Sequence, residues 1–261
     1  MVGRMIPARI AALVWLGAAL AAAQTPEQLY ASGVKSFEQG SAEEAVAELE
    51  RAVAARPKYA AAWKVLGVIM ASQGDFPAAE PYFREACALD AKLPDACFYH
   101  GRSLYLVNRF REALAVMDTL PLERRRYRIQ ALCLDAMGRW SEAEPLYRKA
   151  IEVDTGAEDP RVDYGVGLSR QGRADEAVEA LKLAVQFGRQ PRRAELELGR
   201  VFLQLERFHE ARPHLEKAVA LSPESSAAHL LLGKLYGRLG LPEKAAFHLE
   251  IGARPARAVA R

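Results

Sequence analysis

The sequence predicts an all-α fold, a solenoid of about seven stacked helix-turn-helix units, and three periodic features predict it. Seven alanines, Ala45, Ala79, Ala113, Ala143, Ala177, Ala211 and Ala245, follow one another every 34 residues, with one gap of 30 between Ala113 and Ala143. Twelve residues before each stands a small partner: Gly33, Gly67, Gly101, Ala131, Gly165, Gly199 or Gly233. Between partner and alanine lies a turn residue: Gly40, Gly74, Asn108, Gly138, Gly172, Glu206 or Gly240. Self-similarity at this period marks supersecondary units that bury their apolar faces against one another.

The first 23 residues follow a different logic. Arg4 and Arg9 give a positive start, Ile10 to Leu20 is uncharged and rich in Ala and Leu, and Ala21-Ala22-Ala23 offers small side chains before Gln24. This is the pattern of a secretory signal peptide cleaved after Ala23. The 14 residues from Ile10 to Ala23 fall short of the roughly 20 that span a bilayer. An exported chain, periplasmic or extracellular and without a membrane span after cleavage, is therefore expected.

The unit at 60–93 shows the construction most clearly. Trp63, Leu66, Gly67 and Met70 recur at helical spacing and mark one face of a first helix. Gly74-Asp75 interrupts it; Asp75 can cap a second helix, and Pro77 is tolerated in that helix's first turn. Ala79, Phe83 and Ala86 line the second helix. Where two antiparallel helices cross closely, any side chain beyond a methyl pushes the axes apart, so Gly67 and Ala79 have a packing reason. The other units fall near 26–59, 94–123, 124–157, 158–191, 192–225 and 226–259.

Capping signals support these boundaries. Thr25-Pro26-Glu27-Gln28, Ser41-Ala42-Glu43-Glu44 and Ser141-Glu142-Ala143-Glu144 each have the form of a capping box. Glycine or asparagine suits the left-handed residue that ends a first helix. Glu206 departs from that preference and points to a different turn in the sixth unit. The third unit lacks four residues and runs through Leu120-Pro121-Leu122 into the fourth. Pro121 should end its second helix about one turn early, with a local change of angle between the two units. The seventh unit ends in Gly252 and Arg254-Pro255, which leaves an apolar edge including Phe247 and Leu249 without a capping helix.

The pattern W…LG…Y, then A…F…A, then P, resembles the tetratricopeptide repeat family over everything after residue 23. The resemblance implies a right-handed α-solenoid whose inner surface is lined by first helices. It also implies that the second, fifth, ninth, twelfth and thirteenth positions of each unit are exposed there. In the first three units these positions hold Tyr30, Phe37, Lys64, Val68, Phe98, Arg102 and Tyr105. In the later four they hold Arg125, Arg128, Arg170, Arg193, Arg200, Lys234 and Arg238, diluted by Asp135 and Asp159.

Such a groove suits a protein or peptide segment with apolar side chains and an acidic stretch or free carboxylate, because arginine forks hold carboxylates and aromatics bury area at low entropy cost. The alternative for any one of these residues is an ordinary solvated side chain. A glycan or small ligand is the competing occupant, with Tyr30, Phe98 and Tyr105 as stacking platforms. Some tetratricopeptide proteins grip a chaperone's C-terminal carboxylate with a lysine and two asparagines. Where the first two units would need them, this chain has Tyr30, Val34 and Val68.

Other chemistries find no support. The net charge of +3 falls to +1 once Arg4 and Arg9 are removed, so Arg124-Arg125-Arg126-Tyr127-Arg128 is a solvated helix start or groove segment rather than a nucleic-acid site. His209 and His214 are five apart, off the i, i+4 spacing of a helical zinc site. His100 takes a core-facing position. Gly165-Val166-Gly167 lies inside a first helix, where it cannot cradle a phosphate. Neither an enzyme, a cofactor nor a metal is expected. Cys87, Cys97 and Cys133 sit at apolar positions and are expected as small buried thiols; a Cys87–Cys97 bond across a repeat junction is the alternative in an oxidising compartment.

Overall fold

Close helix crossings and short turns fold the chain into hairpins. The computed structural model describes residues 24–93, 95–121, 124–153 and 158–254, and among these there are fourteen helices and no strand. The first three hairpins pair α1 (Pro26–Glu38) with α2 (Ala42–Ala55), α3 (Ala60–Ser72) with α4 (Phe76–Leu89), and α5 (Ala96–Leu106) with α6 (Phe110–Thr119). Two more pair α7 (Arg124–Ala136) with α8 (Trp140–Val153) and α9 (Glu158–Arg170) with α10 (Ala174–Phe187). The last two pair α11 (Arg192–Gln204) with α12 (Phe208–Leu221) and α13 (Ser226–Arg238) with α14 (Pro242–Ala253). Contacts divide the chain after Pro121 into two compact units, one holding α1 to α6 and the other α7 to α14. The segment expected to be a signal peptide lies outside the described residues.

Each crossing is tight for the same reason. All seven periodic alanines are buried, and the residue four positions beyond each one drives into the space left by the small partner on the first helix. A Cβ added at Gly33 or Gly67 would fall 2.7 Å from Leu49 or Phe83, and one at Gly199 2.6 Å from Leu215. In the fourth hairpin the equivalent positions are Ala131 and Tyr147, both fully buried. Gly167 has its own reason: a Cβ there would come within 2.4 Å of the Trp140 ring. That glycine makes room for an indole, not for a phosphate.

The turns are uniform. Gly40, Gly74, Gly138, Gly172 and Gly240 all have positive φ, as do Asn108 at 62° and Glu206 at 58°. The expected deviation at Glu206 is absent. Its turn is closed by the same hydrogen bond as the others: Arg207 N–H donates to Phe202 O at 2.9 Å, as Arg139 donates to Leu134 O at 2.8 Å. The hairpin's geometry imposes the left-handed residue, although a side chain there costs roughly 1–2 kcal/mol.

The caps depart further from expectation. Thr25 and Gln28 form the full capping box, and Asp75 accepts from the Ala78 N–H. Ser41 makes no capping bond, and Ser141 lies inside α8, whose first residue is Trp140. The position before α6, α8, α10 and α12 is instead an arginine: Arg109, Arg139, Arg173 or Arg207. Each donates two N–H groups to the glutamate three residues on (Glu112, Glu142, Glu176 or Glu210) at 2.6–2.8 Å. The fork holds a carboxylate in the first turn, where it also opposes the helix dipole.

Pro121 acts as its ring predicts. Leu120 is extended, as a residue before proline prefers, and α6 has ten residues where α2, α4, α8, α10 and α12 have fourteen. The cysteines correct the expectation of three free thiols. Cys87 of α4 and Cys97 of α5 form a disulfide with Cα atoms 4.7 Å apart, which ties the second hairpin to the third. Cys133 is free and buried, and burial pushes its thiol up to about 12, so it is a core side chain rather than a nucleophile.

The crossing can be tested directly. Ala143→Leu overfills a site with no exposed surface and is expected to cost about 1–3 kcal/mol. Glu179, 71% exposed, should accept leucine within about 0.5 kcal/mol. Urea denaturation followed by circular dichroism measures both; an unchanged midpoint for Ala143→Leu would refute the crossing.

Candidate functional site

The first helices form an inner side in each compact unit. In the first unit α1 touches α3; in the second, α9 touches α7 and α11, and α11 touches α13. Side chains that leave these helices on that side can therefore act across neighbouring hairpins. The two units use the opportunity differently.

In the first unit the face is aromatic. Tyr30, Phe37 and Tyr105 are half-buried; Tyr30 lies 5.1 Å from the ring of Tyr59, and Tyr105 lies 5.8 Å from Phe110. Phe98 departs from its assignment as an exposed anchor. Only 7% of it is accessible, and its ring packs 5.9 Å from Tyr99 in the core of the hairpin. Lys64 is half-buried and Arg102 exposed. Among the described residues neither has an ion-pair partner.

In the second unit most of the expected positive charge is already spoken for. Asp163 is 3% exposed and accepts from Arg128 Nε at 2.6 Å and from Arg193 at 2.5 Å. The same two guanidiniums reach the exposed Asp159 at 2.8 and 3.6 Å. This closes a ring of alternating charge over three successive first helices. Arg170 pairs with Asp135 at 2.8 Å, and Arg200 with Glu197 at 2.9 Å. Arg125, Lys234 and Arg238 are exposed, and the last two carry no ion pair among the described residues.

Other acids join neighbouring hairpins within each unit. Glu144 accepts from Arg173 and Arg148 at 2.8 Å each and from the Tyr164 hydroxyl at 3.0 Å. Arg173, then Arg148 and Tyr164, hold its carboxyl down at about 2. The buried Glu80 meets His100 at 3.1 Å and Arg109 at 3.3 Å, so His100 is a hydrogen-bonded core residue as expected. Burial pulls the His100 pKa down, and Glu80 opposes that shift.

The sequence reading missed Asp163, because it falls outside the inner positions that the resemblance supplies. A signal was present: Arg128–Asp163 and Asp135–Arg170 are each 35 apart. That is one repeat plus one residue, the offset at which successive first helices face each other. Among the described residues no group of three or more His, Cys, Asp or Glu side chains could hold a metal ion, and no helix is long and apolar enough to cross a membrane.

Comparison with known proteins follows the same outline. The family model described as tetratricopeptide repeat matches residues 30–94, 130–192 and 196–258. Cell division cycle protein 27 homolog A of Arabidopsis thaliana is 29% identical over 100 residues, which are 37% of this chain and only 14% of that protein. Among solved structures, a tetratricopeptide repeat protein from Parabacteroides merdae is 18% identical, with a TM-score of 0.72 over 87% of this chain and 91% of that one. Yeast Tom70 is 20% identical, with a TM-score of 0.66 over 89% and 50%. The APC/C hetero-tetramer Cut9-Hcn1 is 16% identical, with 0.67 over 87% and 44%. At these identities the likeness concerns the fold alone.

Burial decides how much each member of the charged ring contributes. Asp163→Asn removes a carboxylate shielded from water while its two arginines keep Asp159 and some solvent, so a loss of about 1–3 kcal/mol is expected. Asp159→Asn, at a side chain 54% exposed, should cost under about 1 kcal/mol. Equal denaturation midpoints for the two variants would contradict the ring.

Glu144 supplies a pH dependence. An unfolded glutamate protonates near pH 4.3, whereas folded Glu144 stays ionised to about 2, so on acidification the unfolded chain takes up this proton first. Its stabilisation is complete above about pH 4.5 and drains away as pH falls toward about 2. Melting temperatures of wild type and Glu144→Gln across that range should converge as the pH drops.

Proposed function

The chain belongs to the tetratricopeptide repeat family, and on that premise we propose that it is an exported scaffold that holds an acidic segment of a partner protein. The contact lies on the inner face of the first compact unit. Tyr30, Phe37 and Tyr105 supply apolar area, and Lys64 and Arg102 receive the partner's carboxylates. One observation carries the reading: these cations have no internal ion pair among the described residues, whereas Arg128, Arg170, Arg193 and Arg200 are neutralised by acids of their own unit. An incoming carboxylate would have to displace a tethered one at Arg128, Arg170, Arg193 or Arg200 and only water at Lys64 and Arg102, while the unpaired Lys234 and Arg238 have no aromatic at the inner positions of their own unit.

Two features support export: the signal-like pattern of residues 1–23, and the Cys87–Cys97 disulfide, a bond that persists in oxidising compartments and is rare in the cytosol. An envelope role in assembly or secretion follows from that address. Binding rather than chemical conversion accounts for a described chain taken up by repeats. Among the fold relatives, Cut9-Hcn1 is itself a hetero-tetramer. A glycan platform is less well supported, since Phe98 is buried.

Capture from the envelope fraction tests the reading. The Lys64→Glu, Arg102→Glu double variant should lose protein partners that wild type and the remote control Arg111→Glu retain. Wild-type capture should also weaken as salt rises toward 1 M, where the screening length falls to about 3 Å. Retention of glycan alone, indifferent to the double reversal, would overturn the proposal in favour of sugar binding.

A further inference from the structure

The outer side of the last hairpin is built like an inner junction. In α4, Glu80, Phe83 and Cys87 are the residues that meet the next hairpin, through His100, Tyr99 and Cys97. The same positions hold Val46, Leu49 and Val53 in α2, and Val178, Leu181 and Val185 in α10. In α14 they hold Ala246, Leu249 and Ala253. This is again an apolar row, of the kind that buries against a neighbouring unit inside the array. Leu249 is 37% exposed, although its counterparts Leu49, Leu181 and Leu215 are fully buried.

Gly237 on α13 points to the same side independently. A Cβ on the periodic helical glycines would strike a neighbouring side chain within 2.6–2.7 Å, yet a Cβ on Gly237 would meet nothing within 4 Å. Glycine inside a helix weakens it relative to alanine, so a glycine with no neighbour to accommodate calls for an approach from outside. At the equivalent position two and three repeats earlier, Ser169 and Asp135 reach across to Gln204 and Arg170 of the following first helix. Gly237 thus faces the place where a further helix would lie. The surface is preformed, because His229 donates its Nε2–H to Pro223 O at 3.0 Å and its Nδ1 lies 2.9 Å from Nδ1 of His248, joining α13 to α14.

We propose that this edge, Gly237 with Ala246, Leu249 and Ala253, docks on the same edge of a second copy of the chain. The opposite end is unsuited to it: the outward row of α1 is Gln28, Ala31 and Lys35, all exposed, and a head-to-tail contact would bury the lysine against alanine and leucine. Apolar edge against apolar edge closes as a two-fold dimer and does not propagate. The charges agree. Lys234 and Arg238 flank the edge on α13 and Glu243 flanks it on α14, and none has an ion pair among the described residues. A two-fold axis running along the helices sets α13 of one copy against α14 of the other, which brings these cations toward that acid.

Sedimentation equilibrium on the full chain, from about 1 to 100 µM, tests the inference. Wild type should show a monomer–dimer equilibrium in that range. Ala246→Glu and Ala253→Glu, at exposed positions that leave the hairpin core untouched, should weaken association by about tenfold or more with unchanged melting. Arg238→Glu should weaken it too, and adding Glu243→Arg should restore it. Wild type that stays monomeric to 100 µM overturns the proposal. So does a dimer unaffected by Ala246→Glu, or a monomer that associates only after removal of residues 255–261, which would assign the edge to the tail.

Discussion

The structure depends on one constraint: within every hairpin two helices must approach closely enough for the residue four beyond the alanine to seat on a glycine or alanine. Where Phe83 lies against Gly67, or Leu215 against Gly199, a single added carbon would fall within 2.7 Å of a neighbouring atom. Interiors packed to crystal-like density have no slack to absorb that. The close crossing also sets the turn, since helices this near can be joined only by a short connection with one left-handed residue. A glutamate accepts that conformation at Glu206 because the alternative is a wider crossing and a lost core contact. Period, turn and packing are thus consequences of one distance.

That constraint decides where function can lie. Small residues committed to the crossing cannot vary without loss, and side chains directed away from it are left open to chemistry. In the second compact unit the open positions of α7, α9 and α11 are spent largely on holding hairpins together: Asp163 lies between Arg128 and Arg193, and Asp135 meets Arg170. Exposed ion pairs contribute little each, but a carboxylate shielded from water between two guanidiniums fixes the register of three helices and cancels their charge. The arginines of that face therefore form a structural ladder. The first unit carries no such ladder at Lys64 and Arg102, and that difference locates the candidate contact.

The fold was legible because its signal is carried by residue size at fixed intervals, which needs no knowledge of neighbours in space. Helix starts at Pro26, Ala60, Arg124, Glu158, Arg192 and Ser226 fall where the period puts them for that reason. The pairings were less legible because they depend on which residue of the next repeat comes opposite. Asp163 became visible only once α7 lay beside α9 and α9 beside α11. Capping failed at Ser141 on local grounds, since the Arg139–Glu142 fork had taken over the first turn of α8, as its equivalents do in three other second helices; Ser41 makes no capping bond although no such fork competes with it. The disulfide was undecidable from spacing because ten residues can bridge a junction or merely flank it, and the 4.7 Å separation belongs to the folded hairpins.

The disulfide and the shortened helix are connected by the mechanics of a one-dimensional array. Stability in such an array is a sum of unit and junction terms, so it parts at its weakest member. The third hairpin is the natural candidate, because Pro121 leaves α6 a full turn short of α2, α4, α8, α10 and α12. The Cys87–Cys97 bond attaches that same hairpin to the one before it. A covalent tie there limits how far α5 can separate from α4 in any unfolded form of the short hairpin. The deletion of one turn and the addition of one bond then form a matched pair, the second offsetting the first at the junction beside the face that Lys64 and Arg102 occupy.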